Sequence, residues 1–173
     1  MNRIVSVNIM RFIVLVLLQS VVLKRITFDI EDFGFFHILV YPLFIFMLPI
    51  KVPRAMVILL GFVMGISIDF FYSSPGVHAG ALVFTSYLRS IVLKILQPYG
   101  GYNVDASPSL KVMGLQWFIT YVAILLFIHI FIYFSLEAFS FVYIYNISMN
   151  TIFSYLLSFS LIIISQIILR PQY

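Results

Sequence analysis

Residues 55–97 read AMVILLGFVMGISIDFFYSSPGVHAGALVFTSYLRSIVLKILQ, two apolar runs parted only by Ser73-Ser74-Pro75-Gly76. Each run is close to the length of about 20 residues that an α-helix needs to cross the hydrocarbon of a bilayer. Proline fixes φ and glycine accepts positive φ, so the four residues between the runs predict a tight helical hairpin. The first run carries Gly61, Gly65 and Asp69 at intervals of four, along one face of a helix. Small residues on such a face let a neighbouring backbone approach closely. The stretch predicts two spanning helices in close contact, with an acid near the turn that joins them.

The rest of the chain extends this pattern. Of 173 residues, 63% are hydrophobic and 9% charged, and the mean hydropathy is +1.13. A soluble domain carries about 45–50% apolar and about 25% charged residues. So few charges cannot build a water-facing shell, which argues against a soluble enzyme, a nucleic-acid module and a disordered segment. Apolar runs at about 7–23, 33–49, 55–72, 77–97, 112–135 and 148–169 predict one all-α integral membrane domain over residues 1–173, with six transmembrane helices. Pro49 to Arg54 makes a short basic turn, and Pro98 with Gly100-Gly101 ends the fourth run. Ser107 is placed to cap the fifth run, with Pro108 at its first helical position. The first run reads as a retained span, because Lys24-Arg25 closes it where a cleavage site would need small residues.

Basic residues orient the helices. With a cytoplasmic N-terminus, Arg3, Lys51, Arg54, Lys94, Lys111 and Arg170 fall inside, and only Lys24 and Arg25 outside. That excess places both termini in the cytoplasm. The absence of cysteine excludes disulfides, thiolate metal sites and cysteine nucleophiles.

Ionisable residues inside a membrane are unfavourable, so each asks for a reason. Asp69 either faces a partner or cavity, or hydrogen-bonds around the Ser73–Gly76 turn. Depth favours His78 over Arg89 as its partner, since at 1.5 Å per residue Arg89 lies about 17 Å below the turn. Arg89 and Arg11 are then expected to snorkel toward headgroups. His37, Asp69, His78, His129 and Glu137 all fall toward the outer side, a polar belt suited to docking an extracytoplasmic partner. Their spacing lacks the paired histidines of a zinc helix, and neither a nucleophile elbow nor a matched pair of intramembrane acids is present. No metal, cofactor or catalytic residue is expected.

Gly61 to Asp69, Ser74-Pro-Gly-Val-His-Ala79, Tyr87-Leu-Arg89, Pro98-Tyr-Gly-Gly-Tyr102, Ser107-Pro-Ser109 and Glu137-Ala-Phe139 resemble the rod shape-determining protein MreD family of bacteria. The resemblance implies a non-enzymatic subunit of the cell-elongation machinery in the inner membrane. It would bind an MreC-type, membrane-anchored periplasmic partner, and through it MreB, RodA and penicillin-binding protein 2, in support of cell shape and peptidoglycan synthesis. It also implies a six-helix fold similar to the substrate-binding subunits of energy-coupling-factor transporters. By position, Gly61, Gly65, Asp69, His78 and Arg89, with Glu137, become candidates for partner binding or helix packing. The same implied fold leaves a second function open, a small-molecule-binding subunit of a vitamin-type transporter.

Overall fold

The computed structural model describes residues 3–30, 34–103 and 107–169; Asp105 and Arg170 lie outside them. The chain is 78% helical. Helix α1 (Arg3–Leu17) continues through a π-helical turn (Leu18–Val22) and a 3₁₀ turn (Leu23–Arg25). Strands β1 (Thr27–Ile30) and β2 (Gly34–His37) pair antiparallel, Thr27 opposite His37 and Ile30 opposite Gly34. A one-turn helix α2 (Leu43–Phe46) follows, then α3 (Arg54–Tyr72), α4 (Val77–Ile95), a short α5 (Leu110–Met113), α6 (Leu115–Ala138) and α7 (Ile144–Leu169). Four helical segments are long and apolar enough to cross a membrane: Val5–Arg25, Arg54–Tyr72, Leu115–Ala138 and Ile144–Ile168. The chain is a helical membrane protein.

One expectation fails here. The run expected to span at 33–49 does not form a long helix: its described residues, 34–49, are a strand, an irregular stretch and four residues of α2. Pro42 disfavours helical backbone at Tyr41 and removes a donor, and Pro49 bars helical continuation. Yet this stretch is the most deeply buried in the molecule. Leu39, Tyr41, Ile45 and Phe46 have no exposed surface, and Phe36, Val40, Leu43, Phe44, Met47 and Leu48 are buried with them. Irregular backbone at membrane depth is tolerated only where protein surrounds it. Here the surrounding helices do so, and the stretch becomes a thread through the core. Its direction is set by four contacts. Val40 meets Gln19 and Met47 meets Arg11, so it runs antiparallel to α1; His37 and Leu39 meet Ser154 and Ser158, so it runs along α7.

The helix boundaries differ from the sequence reading at the fifth run. Ser109, rather than Ser107, precedes α5, and Gly114 at φ 83° breaks α5 from α6. The positive φ is open to glycine without the clash a Cβ would bring. At the end of α4, the Tyr102 hydroxyl donates to the Leu93 carbonyl at 2.8 Å and the Trp117 indole to Leu96 at 2.8 Å, meeting carbonyls that a helix end leaves unpaired. Helix α7 is amphipathic in the inverted sense suited to lipid: Thr151, Ser154, Ser158 and Gln166 are buried along one face, while Leu156, Leu157 and Ile164 are exposed.

Candidate functional site

Helices α3 and α4 approach each other on the glycine face. A Cβ at Gly65 would lie 2.3 Å from the Ala79 Cα and 2.9 Å from the His78 carbonyl carbon, so only glycine fits against that backbone. At Gly61 a Cβ would meet the Ser86 Oγ at 2.3 Å, the end of a side chain that can rotate. One turn above, Asp69 closes both helix ends at once. Its backbone carbonyl accepts from Ser73 and Ser74, the former in left-handed conformation at φ 56°, and so terminates α3. Its carboxylate turns across the hairpin to the start of α4. Oδ1 accepts from the His78 amide at 2.9 Å, and Oδ2 from Gly76 and Ala79 at 3.1 and 3.0 Å. Gly76 has no side chain with which to cap α4, so the acid of the preceding helix performs that service. A carboxylate at a helix N-terminus is favoured both by the unpaired N–H groups and by the helix dipole.

The same carboxylate holds the His78 ring, with Nδ1 3.0 Å from Oδ1, and the Ser74 hydroxyl 3.1 Å from both atoms. His78 is fully buried; the rings of Tyr72, Tyr133 and Tyr41 surround it at centroid distances of 4.7, 4.9 and 5.5 Å. Tyr41 belongs to the thread and continues the polar path, its hydroxyl 2.8 Å from His129 Nε2. The proton positions at His129 follow from Thr85. That hydroxyl spends its one hydrogen on the Ala81 carbonyl at 2.7 Å, so it can only accept from His129 Nδ1, 3.0 Å away. His129 then carries a hydrogen on Nδ1, and in the neutral ring Nε2 accepts from Tyr41.

The thread's backbone is met by side chains from four helices. Gln19 acts as a substitute strand: its Oε1 accepts from the Val40 amide at 3.0 Å, and its Nε2 donates to the Ile38 carbonyl at 2.9 Å and to the Tyr72 hydroxyl at 2.9 Å. Ser154 and Ser158 accept from the amides of His37 and Leu39 at 3.0 and 2.8 Å. Farther along, Tyr121 donates to the Phe46 carbonyl at 3.1 Å. Arg89 donates to the Leu48 carbonyl and, at 3.1 Å, to the Tyr121 hydroxyl. It is only 3% exposed, so it does not snorkel to the headgroups. Arg11 also turns inward, to Asn8 at 3.0 Å and the Met47 carbonyl at 3.3 Å. Both arginines were expected at the lipid surface because depth along a helix says nothing of which neighbours need donors.

Of the candidate residues, Gly61, Gly65, Asp69, His78 and Arg89 are buried within the chain and hold its own elements together. Glu137 alone is exposed, at the end of α6, where it accepts from the Tyr133 hydroxyl at 3.2 Å. The outer polar belt therefore divides: Asp69, His78 and His129 face inward, His37 is half-buried, and Glu137 remains at the surface. Among the described residues no group of three His, Asp or Glu side chains converges as a metal set. Sequence reasoning passed over Gln19, Tyr121, Ser154 and Ser158. The signal for the serines was their spacing of four on an otherwise apolar helix; Gln19, a carboxamide within the first run, was the other visible sign. No family model, curated protein or solved structure matches the chain.

Proposed function

We propose that this protein is a non-catalytic scaffold of the bacterial cell-elongation machinery in the inner membrane, holding an MreC-type partner and, through it, MreB, RodA and penicillin-binding protein 2. The observation that carries the reading is the employment of Gly61, Gly65, Asp69, His78 and Arg89, the residues through which the sequence resembles that family. All are engaged in fixing α3, α4 and the thread to one another. A frame in which these residues are spent on joining the chain's own elements suits a part that presents a surface, rather than one that turns over a substrate.

The thread also supports six passes. Five long helices and one buried irregular segment return the C-terminus to the side of the N-terminus, in keeping with the excess of basic residues assigned to the cytoplasm. Because the chain has no cysteine, single introduced cysteines report sidedness without background. Pro75→Cys is expected to react with a membrane-impermeant maleimide in intact cells, and Tyr99→Cys only after permeabilisation; the reverse pattern refutes this topology. Affinity capture from native membranes tests the function itself. Recovery of a single-span protein with a large periplasmic domain, together with peptidoglycan synthases, is expected. Recovery of a cytoplasmic ATPase module with a bound vitamin would instead establish the transporter reading.

A further inference from the structure

Arg54 opens α3, yet its head group does not leave the membrane. Gly61 lies beside Ser86 where α3 and α4 touch, so Arg54 stands level with Leu93 of the antiparallel α4. At 1.5 Å per residue, Tyr87 is about 9 Å deeper along α4. A helical side chain leans toward the N-terminus of its own helix, which for Arg54 is outward. The guanidinium instead turns inward and lies on the Tyr87 ring, its carbon 3.7 Å from the ring centroid. There Nη2 donates to the Tyr87 carbonyl at 3.3 Å. Helix α3 has 19 residues, about the thickness of the hydrocarbon, so Arg54 stands at the hydrocarbon edge with its charge below it.

Arg54 and Tyr87 are both exposed, on surface that meets lipid at that depth. A charge placed there is unfavourable unless an opposite charge is drawn to it. Among the described residues no acid is near: Asp69 and Glu137 close the far ends of α3 and α6, and Asp29 lies in β1 beyond the far end of α1. The Tyr87 ring holds one face of the planar guanidinium and the Tyr87 carbonyl holds one N–H, so the remaining donors point outward as a fork. Such a fork matches the paired oxygens of a phosphate. Ile91 and Lys94 follow Tyr87 at helical spacing on the same exposed face of α4, which sets a second cation on the way in. Exposed Met56, Leu59 and Ile91 offer apolar surface to acyl chains. We propose that the Arg54–Tyr87 pair holds the phosphate of an anionic phospholipid such as phosphatidylglycerol. Phosphatidylcholine also has a phosphate, but it brings its own cation toward Arg54 and Lys94, where like charges repel. The inference stands apart from the proposed function and holds whichever way the chain faces.

The test uses the full chain in nanodiscs of phosphatidylglycerol and phosphatidylcholine with the same acyl chains. Lipid retained after extraction is counted by native mass spectrometry. Retention of the glycerol lipid about fivefold over the choline lipid is expected for one ion pair at the upper end of the exposed range. The ratio is expected to fall toward one in Arg54→Gln and partway in Arg54→Lys, which keeps the charge and loses the fork. Tyr87→Leu lowers it, while Tyr87→Phe, which keeps the ring face, does not. Lys111→Gln removes a cation at the same end of the molecule but in α5, and leaves the ratio unchanged. Arg54 is exposed and makes a single hydrogen bond within the chain, so Arg54→Gln keeps the wild-type helix content and thermal midpoint. That separates loss of the site from loss of the fold. Equal retention of the two lipids by the wild type, as for cations reserved for an acidic protein, overturns the proposal. So does a preference that survives in Arg54→Gln, one lost equally in Lys111→Gln, or one abolished by inorganic phosphate, which would mark an ion site open to water.

Discussion

The α3–α4 hairpin and the thread from Phe36 to Leu48 solve one problem in two ways. Each contains backbone groups that no helix satisfies, in a chain with few polar residues to spare. At the hairpin, one residue does most of the work: Asp69 accepts from three amides, a hydroxyl and a ring nitrogen, all within ten positions of it in the chain. In the thread, local turns pair part of the backbone, and other groups find donors or acceptors on distant helices, among them Gln19, Arg89, Tyr121, Ser154 and Ser158. The hairpin is local and concentrated, the thread long-range and dispersed. Concentration makes a region readable from sequence. Dispersal hides it.

Substitutions can break this contrast. The largest effect is expected where neither solution can adjust. Gly65→Ala drives a Cβ into the Ala79 backbone, at the severe end of overpacking, about 3 kcal/mol; most of the protein should be lost as aggregate on size-exclusion chromatography. Gly61→Ala meets the Ser86 Oγ, which can rotate away, and the Leu82 carbonyl oxygen only at 3.3 Å, and should elute as the wild type does. Next is Gln19→Leu, which leaves the Val40 amide and Ile38 carbonyl unmet in a dry interior, a loss of about 2 kcal/mol. Its thermal midpoint in mild detergent should fall clearly below that of the wild type. Asp69→Ala removes more hydrogen bonds than Gln19→Leu, but Pro75 and Gly76 beside it are exposed, so water replaces part of what is lost. A cost of about 1.5 kcal/mol is expected, as for a strong N-cap, with faster hydrogen exchange confined to the first turn of α4. Ser158→Ala is the mildest, about 0.6 kcal/mol, the average measured for side-chain bonds between membrane helices. If Ser158→Ala proves worse than Asp69→Ala, the dispersed network is cooperative and the contrast between the two regions fails.

These differences also explain what could be read beforehand. The Gly61, Gly65, Asp69 interval and the Ser73–Gly76 turn determine their own surroundings within a few residues, so the hairpin and the pairing of Asp69 with His78 were legible. The long runs of α1, α3, α6 and α7 were legible because lipid selects simply for length and apolarity. Residues 33–49 have the same apolarity and were misread as a helix. Hydropathy counts how apolar a segment is, not whether lipid or protein surrounds it, and Pro42 and Pro49 were the only local warnings. Arg89 was misplaced for a related reason. Its acceptor, the Leu48 carbonyl, exists only because the thread is not helical.

The thread also imposes an order on biosynthesis. Residues 36–48 leave the ribosome before α6 and α7 exist, yet Tyr121, Ser154 and Ser158, which satisfy that backbone, all come from those later helices. Until they arrive, the segment has no dry place with its hydrogen bonds met, and hydrocarbon cannot supply one. Completion of the core is therefore a late event that waits on the C-terminal helices. A chain shortened before Ser154 loses more than one helix: it strands the segment around which the others close.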